Sequence, residues 1–465
     1  MRSFSPTPGF VVAATSSGVG KTTTTAAICS ILRDAGYAVQ PFKTGPDYVD
    51  PTYLTLAAGR PCRNLDGFPN PGLMPYFYKT ACAARGGAQI AVVEGVMGMY
   101  DGLGPDGLYS TAWLARTLDL PVVLLVDAKA AATSVAAVVK GFASLEPLAP
   151  RVAGVIANRV SGAGHAELIA SALERFVGVP LVGWIPHLRD EAFASRHLGL
   201  VPALEREGVR ETLDRFAAAV REHLDIEKLV RLATRPQSTD IEPTLPEPIR
   251  KGDGSPLRVA VATDDAFCFQ YDGNWELLAR LGAEIVRTSP LADAALPAGT
   301  DLLILSGGYP EEFARALSRN RSYIESVRTF GKIGRIYAEC GGMMYLAKAI
   351  TYRGKRWQEV GLLDGEAVMT DRLQPFGYVE ATALRDNLLF SAGETVRAHE
   401  FHYSKIEGPE PEAFSVEKAA RRETRWRDGF TNGGTRLLGT YLHIDFHSCP
   451  AAAARMLRNA AGEGK

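Results

Sequence analysis

Short runs of apolar residues recur along the chain, separated by longer stretches with helical spacing. Phe10–Ala14, Val39–Phe42, Ile90–Val93, Val122–Val126, Val152–Ala157 and Leu181–Ile185 are nearly continuous apolar runs of strand length. Alanine-rich segments such as Thr22–Ala35 and Ala131–Ala143 lie between them. A strand that is apolar at every position is buried on both faces, as in a parallel sheet covered by crossover helices. The texture changes over Thr234–Pro256, where Pro236, Pro243, Pro246, Pro248 and Pro256 mix with charges and with Gly252 and Gly254. Such a stretch excludes a regular element. A second alternation follows in Val259–Ala262, Glu284–Val286, Leu302–Leu305 and Ile333–Ala338.

The pattern predicts an α/β protein of two doubly wound domains, residues 1–233 and 257–465, with a linker over 234–256. A length of 465 residues also exceeds one ordinary core. Composition changes this picture little: 46% hydrophobic and 22% charged residues are ordinary for a folded soluble protein. A formal charge of −1 argues against a nucleic-acid surface. No apolar run reaches membrane-spanning length, and Met1–Phe10 lacks a secretory signal. The six cysteines form no CxxC pair, which removes most zinc ribbons and any disulfide framework. A cytoplasmic enzyme with neither nucleic-acid nor membrane partners is expected.

The first half carries Thr15-Ser16-Ser17-Gly18-Val19-Gly20-Lys21-Thr22 between a strand and a helix. Glycines there let backbone N–H groups converge on an anion, and the helix N-terminus adds its positive dipole end. Ser17, Gly18, Val19, Gly20, Lys21, Thr22 and Thr23 are therefore candidate ATP-binding residues. Lys21 would supply charge to the β/γ-phosphates, and Thr22 a hydroxyl to Mg²⁺. Thr15 stands where the first glycine of such loops is expected. Asp47 lies just past the second strand and Glu94 at the end of the Ile90–Val93 run, where parallel sheets bind ligands. With Thr22 they form the candidate metal set, although either acid could instead serve a turn or helix cap. Asn158 and Pro186 occupy the same rim and are candidate adenine contacts, a turn role being the alternative for Pro186.

In the second half, Ala338-Glu339-Cys340-Gly341-Gly342 follows a strand, holding a thiol at a tight turn where a helix N-terminus favours its thiolate. Upstream, Ser306-Gly307-Gly308-Tyr309-Pro310-Glu311 ends another strand and leaves N–H groups free for an oxyanion hole, with Gly308 and Gly341 as candidates. Later, Gly439-Thr440-Tyr441-Leu442-His443-Ile444-Asp445 brings His443, which can activate Cys340. Histidines 165, 187, 197, 223, 399, 402 and 447 default to surface or packing roles.

Taken together, the second half resembles a class I glutamine amidotransferase domain of flavodoxin-like fold. The first resembles the dethiobiotin synthetase-like branch of the P-loop fold. Their fusion in this order is similar to the cobyrinic acid / hydrogenobyrinic acid a,c-diamide synthase family. The Ala338–Tyr345, Ser306–Glu311, Lys43–Pro51 and Arg196–Leu200 segments carry that resemblance.

The resemblance implies amidation of a corrinoid polycarboxylate using ATP, glutamine and Mg²⁺, through an acyl phosphate, in cobalamin biosynthesis. It places the corrinoid near Lys43, Asp47, Tyr48, Val49, Asp50 and Asp101, and implies an internal path for ammonia. It is compatible with a homodimer. The family typically works with a Cys–His dyad, whereas Asp445 here occupies the place of a triad acid; whether it orients His443 or is a solvated acid stays open. Cobyric acid synthase and the nickel-sirohydrochlorin a,c-diamide synthase share this chemistry. A ParA- or MinD-like ATPase switch would carry a second lysine where Ser16 stands and would lack the amidotransferase half.

Overall fold

The computed structural model describes residues 6–187, 208–236, 241–432 and 434–462, so Arg196–Leu200 lies outside the described residues. The chain divides into two compact units, Met1–Glu242 and Pro243–Lys465.

The first unit is built on a parallel sheet of seven strands: β1 (Gly9–Ala14), β2 (Val39–Thr44), β3 (Arg63–Leu65), β4 (Ile90–Glu94), β5 (Val122–Asp127), β6 (Val152–Val160) and β7 (Leu181–Pro186). Their spatial order is β3-β2-β4-β1-β5-β6-β7. Successive side chains of β1 leave opposite faces of the sheet. Phe10, Val12 and Ala14 enter one hydrophobic core, and Val11 and Ala13 enter the other. Both faces are dry, which is why these strands read as unbroken apolar runs. Helix α1 (Lys21–Asp34) covers one face and buries most of its circumference, Thr24, Thr25 and Ser30 included.

Within the second unit the sheet has six strands, and four of them are β8 (Leu257–Ala262), β9 (Ala283–Thr288), β10 (Leu302–Leu305) and β11 (Arg335–Glu339). From one edge the order is Phe430–Thr431, Leu437–Thr440, β11, β10, β8 and β9. All pairs are parallel except the first, which is antiparallel. Residues 349–428 add two further sheets of four strands each. One is wholly antiparallel, Thr395–Glu400, Gly377–Ala383, Phe414–Lys418 and Arg421–Asp428. The apolar patterning does not predict these strands, because each buries one face at most; Thr395–Glu400, for example, alternates exposed or half-buried with buried residues. Among the described residues no helix is long and apolar enough to cross a membrane.

A buried asparagine fixes the segment that follows the Leu437–Thr440 strand. Asn274 donates to the Ile444 carbonyl and accepts from the Phe446 N–H, both at 2.8 Å. Replacing it with leucine leaves two buried backbone groups without partners. Asn274→Leu should therefore lower the stability of this unit by about 1–3 kcal/mol, read by urea denaturation. An unchanged midpoint would show that water replaces both bonds.

Candidate active sites

Strand register assembles the first site. β1 and β4 are neighbours, as are β4 and β2, and Lys43 pairs directly with Glu94. The glycine loop leaves β1, and Gly18 and Gly20 take φ of 78° and 96°, a backbone region that side chains bearing Cβ avoid. Asn158 Nδ2 donates to the Val19 carbonyl at 2.7 Å and so ties the loop to the end of β6. Ser17 and Gly18 are exposed, while Val19, Lys21 and Thr23 are buried. No acid sits in the first turn of α1 and no side chain caps it, so its N–H groups face an anion site unopposed. Lys21 donates to the Met97 carbonyl. Its pKa is pulled down by burial and then by Lys43.

Thr22 Oγ1 donates to Glu94 Oε1 at 2.8 Å, and Lys43 Nζ lies 2.9 Å from the same oxygen. Lys43 also pairs with Asp50, and with Asp47 at 3.5 Å. Glu94 is wholly buried, and its Oε2 has no hydrogen-bond partner. Burial pushes Glu94 up to about 7 against the pull of Lys43. Burial alone would lower Lys43, but Glu94, Asp50 and Asp47 outweigh it and hold the ammonium charged. Asp47 Oδ1 accepts from the N–H groups of Val49 (2.9 Å) and Asp50 (3.0 Å), the turn-and-cap geometry given above as its alternative. Tyr48 and Val49 are half-buried beside it. Asp101 is exposed and accepts from the Gly98 N–H at 2.8 Å. Pro186 ends β7, opposite Val160.

This donor set fits a divalent cation. A threonine hydroxyl beside a wholly buried carboxylate with one unpartnered oxygen is a hard-oxygen site, and magnesium takes its remaining ligands from phosphate and water. Among the described residues no three Asp, Glu, His or Cys side chains form a group that could hold a metal ion by themselves.

In the second unit, three adjacent strands converge. Leu305 pairs with Ala338, and Glu339 pairs with Thr440. The turn after β10, the nucleophile after β11 and the histidine three residues past Thr440 thus share one edge. Cys340 has φ 45° and ψ −107°, a strained elbow held by Cys340 N–H to the Thr440 carbonyl (2.7 Å) and by Met344 N–H to the Cys340 carbonyl (3.0 Å). A Cβ on Gly341 would lie 3.0 Å from the Gly308 nitrogen, so the two turns meet without room for a side chain. On Gly307 it would fall 2.7 Å from His443 Cε1.

Burial, then the charge of Glu311, pushes the Cys340 thiol up and outweighs the Gly341 N–H at the start of helix Gly341–Leu346, which favours the thiolate as expected. Burial, with His399 and His402 nearby, holds His443 down at about 3. Both shifts favour the neutral thiol and the neutral imidazole.

The packing roles expected of His399 and His402 bring both beside His443. The backbones of His399 and His443 exchange hydrogen bonds of 3.2 and 2.8 Å. His402 stacks on Tyr441 with ring centroids 3.6 Å apart. Glu339 lies at ion-pair distance from His443, its Oε2 3.8 Å from Nδ1. Asp445 Oδ1 accepts from the His447 N–H at 3.0 Å and lies 3.3 Å from His447 Nδ1.

Residues 10–198 match the family of CobQ/CobB/MinD/ParA nucleotide binding domains, and residues 258–451 match the CobB/CobQ-like glutamine amidotransferase domain. The chain is 40% identical over 445 residues to a cobyrinate a,c-diamide synthase of Streptococcus sanguinis, covering 94% of this chain and 96% of that one. Enzymes of the same name from Listeria innocua and Salmonella typhimurium are each 40% identical over 462 residues, covering 98% and 96% of this chain and 99% and 98% of theirs. With a phosphate loop and a cysteine elbow on separate sheets and relatives matched end to end, the chain belongs to the cobyrinate a,c-diamide synthase family.

Proposed function

We infer that this protein uses ATP and glutamine to convert the a and c side-chain carboxylates of cobyrinate or hydrogenobyrinate into amides, in cobalamin biosynthesis. The observation that carries the reading is the joining of a phosphate-loop site and a Cys–His elbow in one chain, each buried at the carboxyl edge of its own parallel sheet. That pairing also separates it from a ParA- or MinD-like switch, which needs no cysteine elbow. The full-length relatives favour it over cobyric acid synthase.

A carboxylate resists attack by ammonia because its charge repels nucleophiles and its oxygen leaves poorly. In this reading a substrate carboxylate oxygen attacks the γ-phosphorus of ATP, ADP departs, and an acyl phosphate results. The loop N–H groups from Ser17 to Thr23 cradle the phosphates, and Lys21 leaves the Met97 carbonyl to follow the transferred charge. Thr22 and Glu94 would hold Mg²⁺, with Asp47 close by; when bound, it would neutralise charge on the phosphate oxygens. Lys43 stays charged among its acids and orients Asp50 at the mouth of the site. Asp47, Tyr48, Val49, Asp50 and Asp101 line the side where the corrinoid carboxylate would enter, and Asn158 and Pro186 the side for adenine.

Ammonia comes from glutamine. As Cys340 Sγ attacks the side-chain amide carbon, its proton passes to His443, and the oxyanion meets the N–H groups of Gly308 and Gly341. His443 returns the proton to the leaving nitrogen, ammonia departs, and water hydrolyses the thioester to glutamate. Ammonia then displaces phosphate from the acyl phosphate, giving the amide.

Two substitutions separate the half-reactions. Cys340→Ala should abolish glutamine hydrolysis and lower glutamine-dependent amidation by roughly 10³-fold or more, while free ammonium still supports amidation. Lys21→Ala should cut amidation by roughly 10²–10³-fold with either nitrogen source, while glutamine hydrolysis persists. Product mass and glutamate release read both. Loss of ammonium-supported amidation in Cys340→Ala, or its survival in Lys21→Ala, would contradict the division of labour.

A further inference from the structure

Class I glutamine hydrolysis generates an imidazolium during attack, and in this protein that cation forms in a dry place. The His443 side chain is 2% exposed and burial holds the imidazole neutral. His399 and His402 add positive potential whenever they are charged. An anion close to the ring is therefore what proton transfer from Cys340 requires. Asp445 has the place in sequence, but its oxygen serves the His447 turn.

We propose that Glu339, the residue immediately before the nucleophile, is the positioning acid for His443. The proposal rests on the reading that Cys340 and His443 hydrolyse glutamine. Tyr337 and Glu339 lie two residues apart on β11 and so share a face. Tyr337 OH donates to Glu339 Oε1 at 2.7 Å, and the Ile444 N–H donates to the same oxygen at 3.2 Å. Two donors from separate segments thus pin one carboxylate oxygen and leave the other, Oε2, 3.8 Å from His443 Nδ1.

That separation is an ion-pair distance rather than a hydrogen bond. Glu339 therefore acts chiefly once His443 takes the proton, when opposite charges face each other in a low-dielectric setting. Glu339 acts through His443, the ring its free carboxylate oxygen faces.

Its surroundings give the proposal a second signature. Burial pushes Glu339 up to about 7, and Asp445 adds to the rise, while the Tyr337 and Ile444 donors oppose it. The other titratable groups near it are His443, Cys340 and Cys449. Because its pKa is raised, Glu339 carries its charge above about pH 7 and loses it below. Glutamine hydrolysis should then rise as pH increases through that region.

The test compares Glu339→Gln, Glu339→Asp and Asp445→Asn with the parent enzyme, scoring kcat and KM for glutamine hydrolysis across pH 6–9 and amidation supported by free ammonium. Gln can keep both hydrogen bonds to Oε1 but carries no charge. The expected result is a kcat reduced about tenfold or more in Glu339→Gln, with KM for glutamine nearly unchanged and the rise near pH 7 gone. Glu339→Asp should recover part of the kcat and the pH dependence, and Asp445→Asn should change kcat less than either. A parental kcat and pH profile in Glu339→Gln, or a larger loss in Asp445→Asn, overturns the proposal. If Glu339→Gln does not fold, Glu339→Asp decides: a pH profile identical to the parent's overturns it and a displaced one supports it. Persistence of hydrolysis in Cys340→Ala would instead overturn the underlying reading of the site.

Discussion

Parallel strands end in register, and whatever follows each strand shares one edge of the sheet with its neighbours. Both units depend on this constraint. In the first, β2, β4 and β1 lie side by side, so Lys43, Glu94 and the glycine loop meet although some seventy residues separate loop and glutamate. In the second, β10, β11 and the Leu437–Thr440 strand lie side by side, and the turn, the cysteine and the histidine meet across more than a hundred residues. A slip of one residue in any of these pairings would turn the functional side chain to the opposite face.

Burial at that edge sets the chemistry. The Lys43 ammonium pairs with Glu94, Asp50 and Asp47, and the carboxylates outweigh its desolvation. Breaking such a buried cluster from one side is costly, since it strands the opposite charge. Around Cys340 the balance is reversed. The thiol is pushed up and the imidazole down, which favours a neutral pair until charge appears during reaction. A neutral resting pair limits adventitious thiolate chemistry, and it makes whatever lies near His443 decisive for the rate.

Much of this was legible in the sequence. Strands buried on both faces announce themselves as apolar runs: Leu302–Leu305 is predicted and observed with the same limits, and Val122–Val126 extends by one residue to Asp127. The Ile333–Ala338 run starts two residues late, at Arg335, because Ile333 is 79% exposed and belongs to the preceding turn. The family and the α/β class followed from motifs placed on such strands. The two small sheets of residues 349–428 were not legible, since strands solvated on one side carry no apolar run; Arg421–Asp428 holds four arginines. Neither was the place of His399, which reaches His443 through a pairing remote in sequence. Glu339 left one local signal, its period-two spacing from Tyr337, and that gains meaning only once Ile444 and His443 are seen beside it.

The central claim is that nitrogen released from glutamine in one half of the chain ends in amides made on a corrinoid by the other. The most direct test supplies the protein with ATP, Mg²⁺, cobyrinate and glutamine labelled with ¹⁵N at the side-chain amide, and weighs the corrinoid product. Two carboxylates converted to amides, each carrying the label, is the result the account predicts. Glutamate and ADP formed without labelled nitrogen on the corrinoid would contradict it.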